Sequence, residues 1–539
     1  MSEPYSATEH TKRRVKSPIP ESADVIVIGC GLGGLMAAAG LARDGLKVAC
    51  FDSHYVAGGC ATMFSRGGPE RRYNFDVGLH YIGDCREGGK IPRMLERLGI
   101  QQDYIEMDPD GFDELIFPDL RFRIPASKEV YRERLVAMFP KETRGIDRYI
   151  RFLNEVEYMS TLMEGTKRRS KLSMGWQVAA KGRLVARYSS ATIGEFLDSC
   201  TRNIQLRAIM LGQNGDYGIA PSRCSALLHA GLVNHYFKGA FYPEGGGQII
   251  ADRVSEVIEK HGGSIHLSHG VEEILVEGSR VMGVRLEDGK GDVHAPVVIS
   301  NADLKRTYSD LLPPEAVSLE QRDKVEGYSM GGAIFMTYLG VKCDLKDYGM
   351  GNTNYWQFDG YDFDAFYERN TNGGEPAVFA AYITSASLKE PDWPWHAPAG
   401  EQNLEVMTVV AGDPASWGVV PDQIDRWSYK KTDKYQALKQ RVEDELVERL
   451  ERVFPGTTEH ITHRESATPV THTRYTRASG GSGYGLAATP GQFMRGRPGY
   501  RGELEGLYFA GASTRSGHGI VGAMLSGEEA AKRIRRDRG

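Results

Sequence analysis

Long apolar runs are absent from this chain of 539 residues: no stretch reaches the ~18 apolar residues that a bilayer-spanning helix needs. Residues 1–22 form a polar tail without an apolar run behind its basic residues, so we expect neither a signal peptide nor an anchor. An excess of positive charge is also missing, since the net charge is −5, and nucleic acid is not an expected partner. These absences favour a soluble, cytoplasmic protein or one that rests on a membrane surface.

Cysteine is scarce and shows no pairing pattern. The seven cysteines are scattered, odd in number and without a CxxC pair, which is typical of a reducing compartment. The 14 histidines form neither HxxxH nor HExxH on a predicted helix, so no metal site is expected. Glycine, by contrast, is abundant: 64 copies exceed the ~7% average and predict many tight turns of the kind that surround a bound ligand.

A glycine-rich turn near the N-terminus has the spacing of a dinucleotide site. The apolar strand 25–28 runs into Gly29-Cys30-Gly31-Leu32-Gly33-Gly34, and an alanine-rich helix follows, whose N-terminus would hold the phosphates. Gly29 permits the turn, Gly31 keeps a Cβ away from the pyrophosphate, and Gly34 lets helix and strand approach. Asp52 ends the next strand 18 residues after Gly34, near the ~20 expected of an acid that binds ribose hydroxyls and disfavours NADP. A Rossmann-like unit without nucleotide is the structural alternative.

The segments after Asp52 decide which dinucleotide is expected. An NAD-dependent dehydrogenase continues with further βαβ units. This chain runs instead into Gly58-Gly59-Cys60-Ala61-Thr62 and closes its nucleotide unit only at residues 506–522. The arrangement resembles the two-part FAD fold of the glutathione-reductase and amine-oxidase type. It implies an α/β fold: a split, Rossmann-like FAD-binding domain combined with a mixed-sheet and helical substrate domain.

The expected domain boundaries follow from this split. After the tail come a first FAD-binding segment (23–84), a helical substrate or cap insertion (85–235), a second FAD-binding segment (236–312), a strand-containing substrate domain (313–500) and a third FAD-binding segment (501–539). Basic residues cluster in the segments 167–187 and 532–538. Contact with anionic lipid headgroups is one interpretation of these segments, and a solvated helix face is the other.

Seven longer motifs carry a family resemblance: DVIVIGCGLGGLMAAAGLARDGLKV, HYVAGGCATMF, FDVGLHYIG, FYPEGGGQIIADRVSEVIEKHGG, VVISNAD, TPVTHTRYTRASGGSGYG and GLYFAGASTRSGHGIVGAMLSGEEAA. With them the chain resembles the phytoene desaturase and carotenoid isomerase superfamily of FAD-dependent oxidoreductases, and most of all its retinol saturase branch. Residues 85–235 and 315–460 match only loosely and would build the substrate cavity. The resemblance implies a long isoprenoid or polyene lipid that is saturated, desaturated or isomerised, with hydride transfer at flavin N5.

The same resemblance implies which residues hold FAD. They are Gly29, Gly31, Leu32, Gly33, Gly34, Asp52, Ser53, Gly58, Gly59, Thr62, Val271, Gly511, Ala512, Gly519, Ile520 and Val521. Residues near the flavin by motif placement are His80, Tyr81 and His518. Reduction of a C=C bond needs a proton donor besides the hydride. Tyr81 could give that proton with His80 orienting it, His80 could give the proton itself, or these residues could pack beside the isoalloxazine without proton transfer.

The electron partner and two other functions stay open at this point. A second GxGxxG after a strand is missing, so electrons would pass through a transiently docked NAD(P)H, a quinone, oxygen or a carrier protein. An amine-oxidase-like flavoenzyme that uses oxygen on a smaller substrate is one alternative function. A non-catalytic lipid-binding escort of the same fold is the other.

Overall fold

The computed structural model describes residues 17–68, 71–164, 181–371 and 374–539. Its strands are β1 (Val25–Ile28), β2 (Val48–Asp52), β3 (Met63–Gly68), β4 (Arg71–Asp76), β5 (Ile82–Gly83), β6 (Tyr104–Glu106), β7 (Asp113–Phe117), β8 (Leu120–Ile124), β9 (Ala240–Pro243), β10 (Ser264–Leu267), β11 (Val271–Glu277), β12 (Arg280–Leu286), β13 (Gly291–His294), β14 (Val298–Ser300), β15 (Ala333–Val341), β16 (Asn354–Phe358), β17 (Ala380–Thr384), β18 (Gln402–Val410), β19 (Ile461–Ala467) and β20 (Leu507–Phe509). Its α-helices span Leu32–Arg43, Lys90–Glu96, Lys128–Met138, Thr143–Glu164, Arg183–Tyr188, Ile193–Asp198, Ile204–Met210, Ala226–Tyr236, Ile249–Lys260, Leu304–Arg306, Leu319–Glu326, Phe363–Thr371, Ala386–Lys389, Pro421–Asp425, Asp433–Val453, Pro469–Thr476 and Gly519–Arg538.

Five short strands form a parallel sheet in the order β10-β2-β1-β14-β20. Every neighbouring pair is parallel, and β1 is buried along its whole length, as its continuous apolar run VIVI requires. The helix Leu32–Arg43, which we call the nucleotide helix, packs against Ile249–Lys260 and against Gly519–Arg538, the C-terminal helix. Three stretches that are far apart in the chain therefore build one α/β layer.

A second, mixed sheet has seven strands in the order β19-β15-β18-β17-β16-β7-β8. Only β16 and β7 pair in parallel, and the other neighbours are antiparallel. Side chains alternate along β15: Phe335 and Leu339 pack with the long helix Asp433–Val453, whereas Met336 and Tyr338 face a large cavity. The sheet thus has one face on a helix and the other on the cavity.

The predicted α/β class, with a split nucleotide-binding unit and a mixed-sheet and helical substrate domain, is confirmed. The stretches 23–84, 236–312 and 501–539 supply all strands of the parallel sheet. The stretch 85–235 is mainly helical, but it also contributes β7 and β8 to the mixed sheet. In the described portion of the chain, no helix combines the length and the apolar composition needed to cross a bilayer.

Candidate active site

A cavity of about 1000 Å³ lies between the two sheets. Its volume is at the upper end of the ~300–1,000 Å³ range typical of ligand sites. Strand ends and turns of the parallel sheet line one half, and side chains of the mixed sheet and of the helix Ala226–Tyr236 line the other. We call these the nucleotide half and the substrate half.

The glycine turn after β1 forms a narrow cradle at the nucleotide half. Gly29 has a φ of +91°, a left-handed conformation that favours glycine. A Cβ on Gly34 would lie 2.3 Å from the carbonyl oxygen of Gly29, so the nucleotide helix could not approach the strand with a larger residue there. A Cβ on Gly33 would lie 2.6 Å from the backbone nitrogen of Gly511. The three stretches of the split domain therefore meet at this turn.

Two helix N-termini open onto the nucleotide half. The nucleotide helix begins after Gly31 and the C-terminal helix after His518, and neither has a side-chain cap. Uncapped N–H groups and the helix dipole favour anionic or electron-rich groups. This cradle fits a dinucleotide, with one N-terminus for the pyrophosphate and the other for the pyrimidine edge of a flavin.

Asp52 lies at the end of β2, on the cavity wall. Its carboxylate accepts hydrogen bonds from the N–H groups of Cys30 at 2.6 Å and His54 at 2.8 Å. Burial raises the pKa of Asp52, and these two hydrogen bonds act against that rise. Because a carboxylate accepts about four hydrogen bonds, capacity remains for ribose hydroxyls.

The structure brings nearly all predicted cofactor residues together. The residues on the cavity wall are Gly29, Gly31, Leu32, Gly33, Asp52, Ser53, Gly58, Gly59, Thr62, Val271, Gly511, Ala512, Gly519, Ile520 and Val521. Gly34 lies behind the wall, where it makes the close contact with Gly29 described above. The predicted catalytic residues His80, Tyr81 and His518 also line the cavity.

The substrate half is apolar and rich in aromatic rings. We call it the aromatic chamber, and its lining includes Leu227, Leu228, Leu232, Met336, Trp356, Phe358, Phe363 and Phe366. These residues come from the two regions that match the carotenoid superfamily only loosely. Such a surface gives an apolar ligand a dry environment and offers it few hydrogen bonds.

His80 belongs to a buried polar group that we call the Lys389 cluster, formed by Asp76, His80, Lys389 and Glu405. His80 Nδ1 lies 3.4 Å from Glu405 Oε2, yet neither ring nitrogen makes a hydrogen bond to any residue that the structure describes. Lys389 Nζ donates to the backbone oxygen of His80 at 2.6 Å. The N–H of Asp76 donates to Glu405 Oε1 at 2.9 Å. The cluster joins β4 and β18 to the wall of the cavity.

Burial controls titration in the Lys389 cluster. It raises the pKa of Asp76 and of Glu405 to about 7, and lowers the pKa of His80 to about 4 and of Lys389 to about 8. Potential metal-ligand atoms of Asp76, His80 and Glu405 lie within 4.8 Å of one another. However, a tyrosine hydroxyl and a backbone N–H already occupy both Asp76 oxygens. The cluster is therefore a charge network around an ammonium group and does not suit a second cation.

Tyr81 enters a different group, which we call the Tyr81 cluster: Tyr81, Asp113 and Asp216. The Tyr81 hydroxyl lies 2.6 Å from Asp216 Oδ2 and 3.2 Å from Asp113 Oδ2. Asp113 also accepts hydrogen bonds from Gln213 Nε2 at 3.0 Å and Asn354 Nδ2 at 3.1 Å. Burial raises the pKa of Asp113 to about 6, and burial together with the charge of Asp113 raises the pKa of Asp216 well above its usual range.

His518 lies beside a tyrosine ring at the N-terminus of the C-terminal helix. Its ring contacts that of Tyr484 edge-on, with centroids 5.6 Å apart, and its Nδ1 is buried without a hydrogen-bond partner. Burial lowers the pKa of His518 to about 3. Like His80, it is therefore a neutral imidazole at physiological pH and does not carry the extra proton of an imidazolium.

Five residues of the two clusters escaped the sequence analysis: Asp76, Asp113, Asp216, Lys389 and Glu405. Glu405 stands in NLEVMTVV and Asp113 in GFDELIF, and an acid inside an apolar strand pattern is a usable signal of a buried polar site. Asp216 stands in QNGDYG, which is typical of an ordinary turn. Lys389 ends the short helix Ala386–Lys389 and carries no local signal.

The two basic segments give different amounts of information. Residues 167–171 of the first lie outside the described residues. In the second, Arg535 pairs with Asp44 at 2.5 Å, Arg533 with Asp537 at 3.1 Å and Lys532 with an acid one turn away. These pairs are consistent with a solvated helix face, and contact with lipid remains a prediction.

Comparison with known proteins identifies the family to which this chain belongs. The chain matches the flavin containing amine oxidoreductase family over residues 32–413 and 428–535. The all-trans-retinol 13,14-reductase of Danio rerio is 30% identical over 499 residues, which cover 87% of this chain and 78% of the relative. Prolycopene isomerase 1, chloroplastic, of an Oncidium hybrid cultivar is 24% identical over 530 residues, covering 96% of this chain and 85% of the relative.

A solved structure shows the same fold at lower identity. The cyclohexylamine oxidase of Brevibacterium oxydans has a TM-score of 0.59 and 16% identity, with 96% of this chain and 99% of that chain covered. The glycine cradle, the split sheet and these matches point the same way. The chain therefore belongs to the flavin-containing amine oxidoreductase family, in the branch of the retinol reductases and prolycopene isomerases, and is an FAD-dependent oxidoreductase.

Proposed function

We propose that this chain uses FAD to act on the C=C or C–C bonds of an apolar polyene or isoprenoid-type lipid, with hydride transfer at flavin N5. The observation that supports this proposal is that the nucleotide half and the aromatic chamber form one continuous cavity. A substrate in the chamber would therefore contact the bound cofactor. The names of the relatives, a retinol reductase and a prolycopene isomerase, describe proteins that act on such molecules.

The roles of the cavity residues follow from their positions. The N–H groups after Gly31 would hold the pyrophosphate, Asp52 the ribose, and the residues around Gly519 the flavin. Bound FAD supplies two-electron chemistry at its ring, and the protein supplies orientation and exclusion of water. Because two apolar walls enclose the chamber, water would be displaced when a lipid enters.

The direct test is anaerobic incubation of the FAD-loaded protein with all-trans-retinol, prolycopene and a set of primary amines. We expect flavin absorbance to respond to the polyenes, and the product mass to show a gain of two hydrogens, a loss of two or an isomer of equal mass. Hydrogen peroxide released from an amine would instead establish the amine-oxidase alternative. A protein that purifies without flavin and never reacts would support the escort alternative.

A chamber variant with a matched control sharpens the test. Leu228→Trp fills some of the aromatic chamber and should weaken the polyene response about tenfold or more while flavin content stays unchanged. The control, Leu319→Trp, makes the same substitution at a leucine that is 73% exposed. Equal polyene responses of the two variants would contradict binding in the chamber.

The electron partner belongs to the same proposal. An external donor or acceptor, whether NAD(P)H, a quinone or a redox protein, would have to reach the flavin from outside the chamber. Stopped-flow mixing of the loaded protein with NADH, NADPH and a soluble quinol separates these partners. The partner that changes the flavin absorbance fastest at equal concentration is the assigned one.

A further inference from the structure

Asp216 occupies the junction between the two halves of the cavity. It lines the cavity, and a Cβ on its neighbour Gly215 would lie 2.3 Å from the ring of Trp356 in the aromatic chamber. The Gly215 carbonyl accepts a hydrogen bond from Tyr484 at 2.5 Å, and Tyr484 contacts His518 at the N-terminus of the C-terminal helix. A double bond held in the chamber would therefore meet the nucleotide half beside Asp216.

The hydrogen bonds of the Tyr81 cluster place a proton on Asp216. Tyr81 has a single hydroxyl hydrogen, yet its oxygen is within hydrogen-bond distance of both carboxyl groups. Both amide donors, Gln213 and Asn354, go to Asp113, which favours its carboxylate form. Tyr81 then donates to Asp113, and its oxygen accepts from a protonated Asp216. An O···O distance of 2.6 Å suits that O–H···O bond.

We propose that Asp216 is the acid that delivers a proton to the reacting C=C bond, held in place by Tyr81 and Asp113 as positioning residues. The inference rests on the proposed function and selects its reductive direction. One carbon receives a hydride with both electrons, which is the chemistry that reduced FAD supplies. The other carbon forms its C–H bond with the π electron pair and the proton of Asp216. Asp216 becomes a carboxylate and recovers a proton from water, while an external two-electron donor such as a nicotinamide restores the reduced cofactor.

The surroundings of Asp216 keep the acid neutral. The titratable groups that act on it or feel its charge are Asp113, Tyr81, Tyr236, Tyr367, Tyr382 and Tyr484. Among the described residues, no lysine or arginine forms an ion pair with Asp216, and Lys389 acts on Asp113 from the neighbouring cluster. Burial and the charge of Asp113 raise the pKa of Asp216 well above its usual range. The rate of proton delivery should therefore be constant at low pH and fall as the pH rises through that pKa.

The test uses single turnovers of the FAD-loaded protein, reduced beforehand with dithionite and mixed anaerobically with all-trans-retinol. Asp216→Asn should slow product formation by ~10²–10⁴-fold, with unchanged flavin content and an unchanged Kd for retinol. Asp216→Glu should restore most of the rate, and the fall of the rate at high pH should disappear in Asp216→Asn. The control Asp347→Asn, at an exposed acid, should match the wild type.

A second readout needs no substrate. The infrared carbonyl band of a protonated carboxyl, recorded at about pH 8 where most acids are ionised, should be much stronger in the wild type than in Asp216→Asn, in which the small protonated fractions of Asp76 and Glu405 remain. Tyr81→Phe should keep the band and lose less than about tenfold in rate, because the acid keeps its proton without the phenol.

Three outcomes would overturn the inference. They are a carbonyl band in Asp216→Asn as strong as that of the wild type, a turnover rate in Asp216→Asn equal to the wild type, and a larger loss of rate in Tyr81→Phe than in Asp216→Asn. If the wild type itself never reacts with a polyene, the proposed function fails and the inference fails with it. If the wild type reacts and Asp216→Asn reacts equally fast, only the inference fails.

Discussion

The two buried polar clusters beside the cavity differ in one charged group. The Lys389 cluster contains an ammonium among its acids, whereas the Tyr81 cluster has two acids and no cation of its own. A buried cation compensates the charge of its neighbours, so Asp76 and Glu405 can ionise above about pH 7 while the cluster links two sheets. Without such a cation, one acid of the Tyr81 cluster has to keep its proton. From this difference we infer that the Lys389 cluster stabilises the fold, whereas the Tyr81 cluster takes part in the reaction.

Removal of the buried ammonium should produce the largest effect. Lys389→Met leaves Asp76 and Glu405 without their cation and should lower the free energy of unfolding by about 3 kcal/mol. The loss should be greater at about pH 7.5 than at about pH 5.5, because Lys389, with a pKa of about 8, is still charged at the higher pH, whereas the acids are protonated at the lower pH and no longer need the cation. Denaturation in urea at both pH values measures this loss in the free energy of unfolding. Lys324→Met, at an exposed lysine, is the matched control and should change little.

Removal of the bridging hydroxyl in the second cluster should cost less. Tyr81→Phe deprives Asp113 and Asp216 of a shared partner and should lower the free energy of unfolding by about 1–3 kcal/mol. Tyr104 offers the matched control because its buried hydroxyl has no hydrogen-bond partner. Tyr104→Phe should be neutral or slightly stabilising. Equal losses of unfolding free energy in the two variants would show that the hydrogen bonds of the Tyr81 hydroxyl do not stabilise the fold.

The pH dependence of stability should reveal the acids of the Lys389 cluster. The folded pKa values of Asp76 and Glu405 are raised to about 7, so the stability they contribute is complete below the unfolded pKa of about 4 and is lost as the pH rises through about 7. We expect a fall of roughly 1–2 kcal/mol between about pH 5 and pH 8. Glu405→Gln should make this slope shallower. A slope that is unchanged in that variant would assign it to other groups.

Replacement of His80 should produce the smallest effect. Neither of its ring nitrogens makes a hydrogen bond, and burial keeps the ring neutral, so His80→Asn should cost less than about 1 kcal/mol. His229 is the contrasting position, since its ring nitrogens contact the hydroxyls of Tyr149 at 2.8 Å and Tyr217 at 3.0 Å. His229→Asn should cost more. Turnover in His80→Asn should keep the wild-type pH profile, and a lost pH limb would make His80 an acid of the reaction.

Much of the fold could be predicted because its signals are local. The run from β1 through the glycine turn to Asp52 carries its own geometry, and the strand β20 followed by a glycine turn repeats that pattern near the C-terminus. The strands β7 and β8 inside the stretch 85–235 could not be predicted, because their place in the mixed sheet depends on parallel pairing of β7 with β16, about 240 residues further along the chain. No local periodicity encodes such a pairing.

The candidate active site likewise has one part that local sequence predicts and another that depends on contacts between distant segments. The glycine turn could be predicted because each of its glycines meets a local requirement of the backbone. The Lys389 cluster could not, because Asp76 and Glu405 meet only through the packing of β4 on β18. The role of His80 stays a prediction, and only the packing around its ring shows that burial lowers its pKa to about 4.

By itself, the sequence determined that this chain has a dinucleotide turn, an acid at the end of the following strand and a split nucleotide-binding unit. These features depend on backbone conformation over a few residues, which side-chain type controls directly. Only the tertiary structure decided that His80 and Tyr81, adjacent in the chain, enter clusters of opposite character. The protonation of a buried group depends on the charges and hydrogen bonds around it, and here those come from strands and turns that are distant in the chain.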